Sequence, residues 1–438
     1  MDPILLARIQ FAFTICFHYI FPLITIGLAW LIVYFMWKYK NSDDPVYENI
    51  SRFWIRLFTV TFAVGVATGI TMEFQFGTNW AEYSRFVGDI FGAPLAAEGI
   101  FAFFLESAFI AVLIFGWDRF SKKTLWFASL MVAIGSTLSA FWIIVANSWM
   151  QTPAGFHIAN GRAELTSFFK AVFNPSTLPR FLHTVDGALM TGSFFMLGIS
   201  AWFLLKNKNI EFAKKSLKAA LIFAFITSSA QLGLGHYHAI QVTNTQPEKL
   251  ATFEGLENTQ RNAPAIIFGI PVEETRTVKN AVRIPGALSF MISGDSNTEV
   301  KGMNEFSKEE LPPFVLTFLL FHSMVALGMY FIGISALGIL LLFIKKLFDS
   351  RLFLKLALIT IPLPIIANEL GWIAAEVGRQ PWAIYRVLKT SESVSISVSP
   401  TEILFSIIMF SLIYLLLFIA WIFLIKQHMN KKLAEVNP

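Results

Sequence analysis

The sequence predicts an all-α fold: a polytopic membrane helix bundle of about nine transmembrane helices, with a long outer-side loop between helices six and seven. Of 438 residues, 55% are hydrophobic and only 14% charged, too little polar surface to wrap a soluble globule of this size. Apolar runs of about 20 residues, the length that crosses a hydrocarbon core of roughly 30 Å, recur with short charged segments between them. Runs of that length make helices, not the short alternating strands of a barrel.

The spans fall at about 11–36, 53–77, 93–117, 124–148, 182–205, 214–236, 313–344, 353–377 and 402–425. Lysines and arginines cluster after the odd-numbered spans: Lys38, Lys40 and Arg52; Arg119, Lys122 and Lys123; Lys206 to Lys218; Lys345 to Lys355; Lys426 to Lys432. The positive-inside rule then puts the N-terminus outside and the C-terminus in the cytoplasm. Two polar stretches, about 150–180 and 237–312, lie on the outer side, and the second is long enough to suggest a working loop. The whole chain, 1–438, reads as one membrane domain.

A net charge of +5 invites a nucleic-acid reading, but the basic residues mark topology and form no stripe. No nucleic-acid partner is expected, and no phosphate-binding glycine loop, internal repeat or soluble domain is visible. The single cysteine, Cys16, rules out an intrachain disulfide, a CxxCH haem attachment and a thiolate cluster. The N-terminal MDPILLARIQ lacks the marks of a cleaved signal, so the first span is expected to remain.

An ionisable side chain at mid-bilayer costs about 2.5 to 3.5 kcal/mol, so each one inside a span needs a reason. His18, Glu98, Glu106, His183, His322, Glu369 and Glu376 all lie within spans, and Met324 sits beside His322. Span parity puts His18, Glu98, His183, Met324 and Glu376 in the outer half, where they can surround one region beneath the long loop. Two histidines, a methionine and inward carboxylates are ligand types for non-covalent haem iron. Alternatively, each is a packed or capped buried group.

Glu369, Trp372, Glu376 and Arg379 recur at intervals of three and four along one side of span eight, and Arg379 can hold a propionate at the interface. Glu98 and Glu106, eight apart and about 80° around the helix, could relay protons with Ser139 of the next span, or simply order the packing. Gly65 and Gly69 in GVATG let another helix or a flat ligand approach the backbone.

At these residues the chain resembles subunit I of cytochrome bd-type quinol oxidases, of the short quinol-loop class, over nearly its whole length. The matching segments include RIQFAFTICFHYIFPL, GVATGITMEFQFGTNW, GDIFGAPLAAEGIFAFFLES, SAFWIIVANSWMQTP, HTVDGALMTG, QPEKLATFEG and GWIAAEVGRQPWAI. The resemblance implies that His183 and Met324 ligate a low-spin haem b, and His18 and Glu376 two high-spin haems, one haem b and one haem d or a further haem b. It implies an inter-haem role for Trp372, a proton path through Glu98, Glu106 and Ser139, and a haem-pocket carboxylate at Glu73. Lys249 and Glu254 in the 237–312 loop match a quinol-site pair.

Two departures stand out. The family pattern Arg-x-Met reads His322-Ser323-Met324 here, so a titratable group is expected beside the low-spin haem, and a GDxxG element is replaced by GHYHA with His236 and His238. The implied function is a quinol-oxidising, dioxygen-reducing subunit of the bacterial cytoplasmic (inner) membrane. Its expected partners are a homologous second subunit and small single-span ones. The competing expectations are a haem electron-transfer protein that reduces no oxygen, and a proton or solute transporter.

Overall fold

In the computed structural model, which describes residues 2–434 without the side chains of residues 101 and 433, nine helical stretches are long and apolar enough to cross a membrane. Residues 1 and 435–438 lie outside the described residues. The first two spans, α1 (Pro3–Lys40) and α2 (Pro45–Thr78), begin on acidic caps, Asp2 and Asp44, with proline in the first turn, where a missing N–H costs nothing. The third is composite: α3 (Ala81–Ala97), a π-turn over Glu98–Phe103, and α4 (Phe104–Phe115).

Ser121 caps α5 (Lys122–Gln151), and a small antiparallel pair, β1 (Phe156–Ala159) with β2 (Arg162–Leu165), leads through α6 (Phe168–Val172) to α7 (Thr177–Leu205). After α8 (Ile210–Thr245), the long loop carries α9 (Pro247–Glu254), an antiparallel hairpin of β3 (Ala265–Val272) and β4 (Thr277–Ile284), and α10 (Ala287–Ser293). Then come α11 (Phe314–Phe343), α12 (Arg351–Ile359), α13 (Leu363–Val377), the short pair β5 (Trp382–Ile384) and β6 (Leu388–Lys389), and α14 (Pro400–Ala434).

All nine spans occur where the sequence places them, and among the differences in their bounds three bear on the site. The sixth runs to Thr245, so the loop starts near 246 and not at 237, and His236 and His238 are helical. GHYHAIQVTNT is polar enough to end an apolar run, yet nothing in it stops a helix before Pro247. The third span starts at Ala81, twelve residues before the apolar run. The eighth breaks between α12 and α13, where Pro362 and Pro364 lack the N–H groups a continuous helix needs.

At the centre, α7 packs against α1, α5, α8, α12 and α13 and is buried along most of its length. By contrast, α14 leans on α1 and α2 and turns Phe405, Leu412, Leu416 and Phe423 outward. The ends of α5, α7, α8 and α13 thus converge beneath the long loop.

Candidate functional site: a buried charge cluster beneath the long loop

The third span carries the first pair of candidate groups. In a regular α-helix, eight residues would leave Glu98 and Glu106 about 80° apart. A π-turn absorbs about one extra residue, which removes about 100° and brings both carboxylates to the face of α5. There Ser139 Oγ donates to Glu98 at 2.7 Å, and Ser136, one turn along α5, donates to the buried Glu106. The sequence reading found Ser139 but missed Ser136 and the π-turn. The spacing of Ser136 and Ser139 by three residues was the available signal. Glu73 of α2 is exposed and within electrostatic range of Glu98.

His18 packs on α2 at the GVATG segment, where a Cβ at Gly69 would come within 3.1 Å of the imidazole. The glycine pair is therefore used for close approach by α1. Thr68 Oγ1 spends its hydrogen on backbone carbonyls of Val64 and Gly65, so at 3.0 Å it accepts from His18 Nδ1–H. This leaves the lone pair on Nε2, the arrangement a metal-ligating histidine needs. Glu369 lies half-buried beside the Cys16 thiol, its hydrogen-bonding neighbour, and Tyr19.

Charge concentrates under the long loop. Glu376 takes Arg379 Nη2 at 2.5 Å, Asn147 Nδ2 at 2.9 Å and Gln151 Nε2 at 3.5 Å, while Arg180 of α7 donates to Asn147. Lys249 of α9 reaches into the same cluster, donating to Gln151 Oε1 at 2.7 Å and Gln246 Oε1 at 2.8 Å. It is 2% exposed, so it presents no charge to the solvent side of the loop. Burial, followed by the Arg180 and Arg379 charges, holds its ammonium well below its ordinary pKa. Among these groups, Arg180 Nε and Arg379 Nη1 are buried without partners. Arg180 and the neutral partners Asn147 and Gln151 had no signature in the sequence reading.

Glu254, also on α9, is buried, and that burial raises its pKa to about 7. Five residues on a helix place it about 140° from Lys249, and the two do not form an ion pair. The predicted pair thus consists of two separate buried groups: one faces the charge cluster, and the other is the last residue of α9.

His183 lies in the same region. Its Nδ1 is buried without a partner, Gln231 Nε2 stands 3.5 Å from its Nε2, and the His238 ring is 5.5 Å away. His238 thus belongs to the cluster, and the GHYHA departure reaches the site directly. Met324 points at α13, where a Cβ on Gly371 would lie 2.6 Å from its sulfur. Trp372, half-buried, follows Gly371 and precedes Glu376 by one helical turn.

The architecture and this donor set were compared with known proteins. The family model for cytochrome bd terminal oxidase subunit I matches residues 6–433. The chain belongs to that family. As a member of the cytochrome bd family, it is a multi-pass terminal oxidase subunit, not a solute transporter. It is 41% identical to cytochrome bd ubiquinol oxidase subunit 1 of Bacillus subtilis (strain 168), across 100% of this chain and 96% of that one. It is 35% identical to cytochrome bd-II ubiquinol oxidase subunit 1 of Escherichia coli (strain K12), across 98% and 96%. A solved bd oxidase from Geobacillus thermodenitrificans superimposes with a TM-score of 0.93 at 33% identity, covering 98% of this chain and 99% of that one.

The Glu106 contact can be tested by itself. Ser136→Ala removes the donor from a buried carboxylate, at a cost of about 1–3 kcal/mol, and should shift the Glu106 carboxyl band in infrared difference spectra while leaving the Glu98 band in place. Ser139→Ala should do the reverse. An unmoved Glu106 band in Ser136→Ala would contradict the pairing.

Proposed function

We propose that this chain is the haem-bearing subunit of a respiratory quinol:oxygen oxidoreductase, which oxidises membrane quinol at the long loop and reduces dioxygen to water with cytoplasmic protons. The observation that carries this reading is the buried cluster. Arg180, Arg379 and Lys249 outnumber Glu376 and Glu248 there, and two guanidinium N–H groups lack acceptors. Propionates of bound haem are anions of the kind such a cluster lacks.

The donor set fits haem: His183 has an unused ring nitrogen, His18 a Thr68-fixed tautomer, and Met324 a sulfur facing a glycine. His183 and Met324 would hold a low-spin haem b, and His18 and Glu376 two high-spin haems, a haem b and a haem d or further haem b. When bound, these groups supply electron transfer and oxygen chemistry. Glu376 would offer a carboxylate oxygen to iron while Arg379 and Asn147 hold it in place. Trp372, half-buried one turn before Glu376, would take the inter-haem role.

The remaining roles belong to the protein's own groups. Glu254 takes a proton from quinol, because a carboxyl with a pKa near 7 is ionised just above that pH. Lys249 orients the quinol-side carboxylates and amides. Glu106 with Ser136, then Ser139 with Glu98, hand protons along α5 toward Glu73 and His18. A homologous second subunit, with small single-span ones, would cover the lipid-level faces, in a bacterial cytoplasmic membrane with the N-terminus outside and the C-terminus in the cytoplasm.

His183→Ala and Met324→Ala should each abolish the sharp low-spin spectrum in a protein that still inserts. Gly371→Val should weaken it by displacing the sulfur. An unchanged low-spin signal in both alanine variants would remove these ligands from the scheme. Likewise, His18→Ala and Glu376→Ala should each lose oxygen-binding haem, and full haem retention in both would contradict their assignment.

Lys249→Ala and Glu254→Ala should lower quinol oxidation by about tenfold or more, the scale of losing one charged hydrogen bond. Oxidation of artificial donors should fall far less. In wild type, quinol oxidation should rise as pH passes upward through about 7, where Glu254 becomes an ionised acceptor, and Glu254→Gln should flatten that rise. Equal loss with both donor types, or an unchanged pH profile in Glu254→Gln, would contradict these roles.

A further inference from the structure

His322 stands two residues before Met324, yet its ring turns toward the long loop. Nε2 lies 2.9 Å from the backbone carbonyl of Ile266 on β3, and Nδ1 lies 3.0 Å from the carbonyl of Phe318 one turn back. Either neutral tautomer donates to one of these carbonyls, and the cation donates to both. The Phe318 carbonyl is already part of the α11 ladder, so the Ile266 contact is the one that joins two elements.

The hairpin is built to receive it. Its register runs Ile266 opposite Arg283, then shifts before Phe268 opposite Val282. A bulge takes backbone groups out of the ladder at that point and leaves them in need of other partners. The carbonyl next to the shift is the one that meets His322.

Aromatic rings hold the imidazole from two sides. Phe318 lies 3.9 Å away, near parallel, and Phe321 lies 5.5 Å away, edge on. Phe253 of α9 stacks on Phe321 at 4.8 Å with parallel planes. Gly255, at φ +64°, ends α9 so close to Phe318 that a Cβ would lie 3.0 Å from that ring. Three elements, α9, β3 and α11, therefore meet at one side chain, and α9 carries both Lys249 and Glu254.

We propose that His322 is a positioning residue that docks the β3–β4 hairpin and α9 onto α11, holding the loop's functional residues in register with the helix that carries Met324. The proposal rests on the reading of this loop as the quinol site.

The test compares His322→Phe, which keeps the ring stack and loses both hydrogen bonds, with His322→Gln, whose amide can still donate to the Ile266 carbonyl. In the purified oxidase, His322→Phe should speed amide exchange across residues 265–284 about three- to tenfold, the scale of one hydrogen bond. The quinol KM should rise in proportion, with kcat less affected, while exchange in α7 stays slow. His322→Gln should recover most of the hairpin's protection. Hairpin exchange that is unchanged in His322→Phe, or equally fast in both variants, would overturn the proposal. A loosened hairpin with an unchanged quinol KM would keep the docking role and remove the quinol reading of the loop.

Discussion

The rest of the site depends on one constraint: charge buried among apolar helices must find an opposite charge or a hydrogen bond. Beneath the long loop, Glu376 is held by Arg379, Asn147 and Gln151, Arg180 reaches the same Asn147, and Lys249 is held by two glutamines. The helices that provide these groups cannot move independently without exposing one of them. Even so, the cluster does not satisfy itself, because Arg180 Nε and Arg379 Nη1 find no acceptor within it.

The same constraint explains the loop. Lys249 and Glu254 are buried although they lie outside the spans, so α9 is an integral part of the core. Tyr385 donates to Glu248 at 2.5 Å from one side, and Phe253 stacks on α11 from the other. Burial moves the two ionisable groups in opposite directions. The Lys249 ammonium is pushed down, and the Glu254 carboxyl is pushed up to about 7. Both shifts favour the neutral form of the side chain, as burial dictates.

How much of this was legible in the sequence follows from what each feature is made of. Nine spans were readable because bilayer thickness dictates a run length. The Glu98 and Ser139 contact was readable because two polar residues on neighbouring spans have few other places to go. The π-turn was not, since its hydrogen-bond shift leaves no mark on residue type, and without it the phase of Glu98 against Glu106 comes out wrong by about 100°. The continuation of α8 to Thr245 was hidden because the apolar run ends before the helix does. His322 was read as a neighbour of the low-spin site, but its contact with the Ile266 carbonyl, 56 residues away, was hidden, because any residue could supply that backbone group.

The central claim is that the surplus of buried cations marks a haem site fed by quinol and emptied by oxygen. A reduced-minus-oxidised absorption spectrum of the purified oxidase, first after anaerobic addition of quinol and then after admission of air, tests it most directly. The account predicts low-spin and high-spin haem bands that grow with quinol and collapse with oxygen. A preparation without haem bands, or with bands that respond to a chemical reductant but not to quinol, would contradict it.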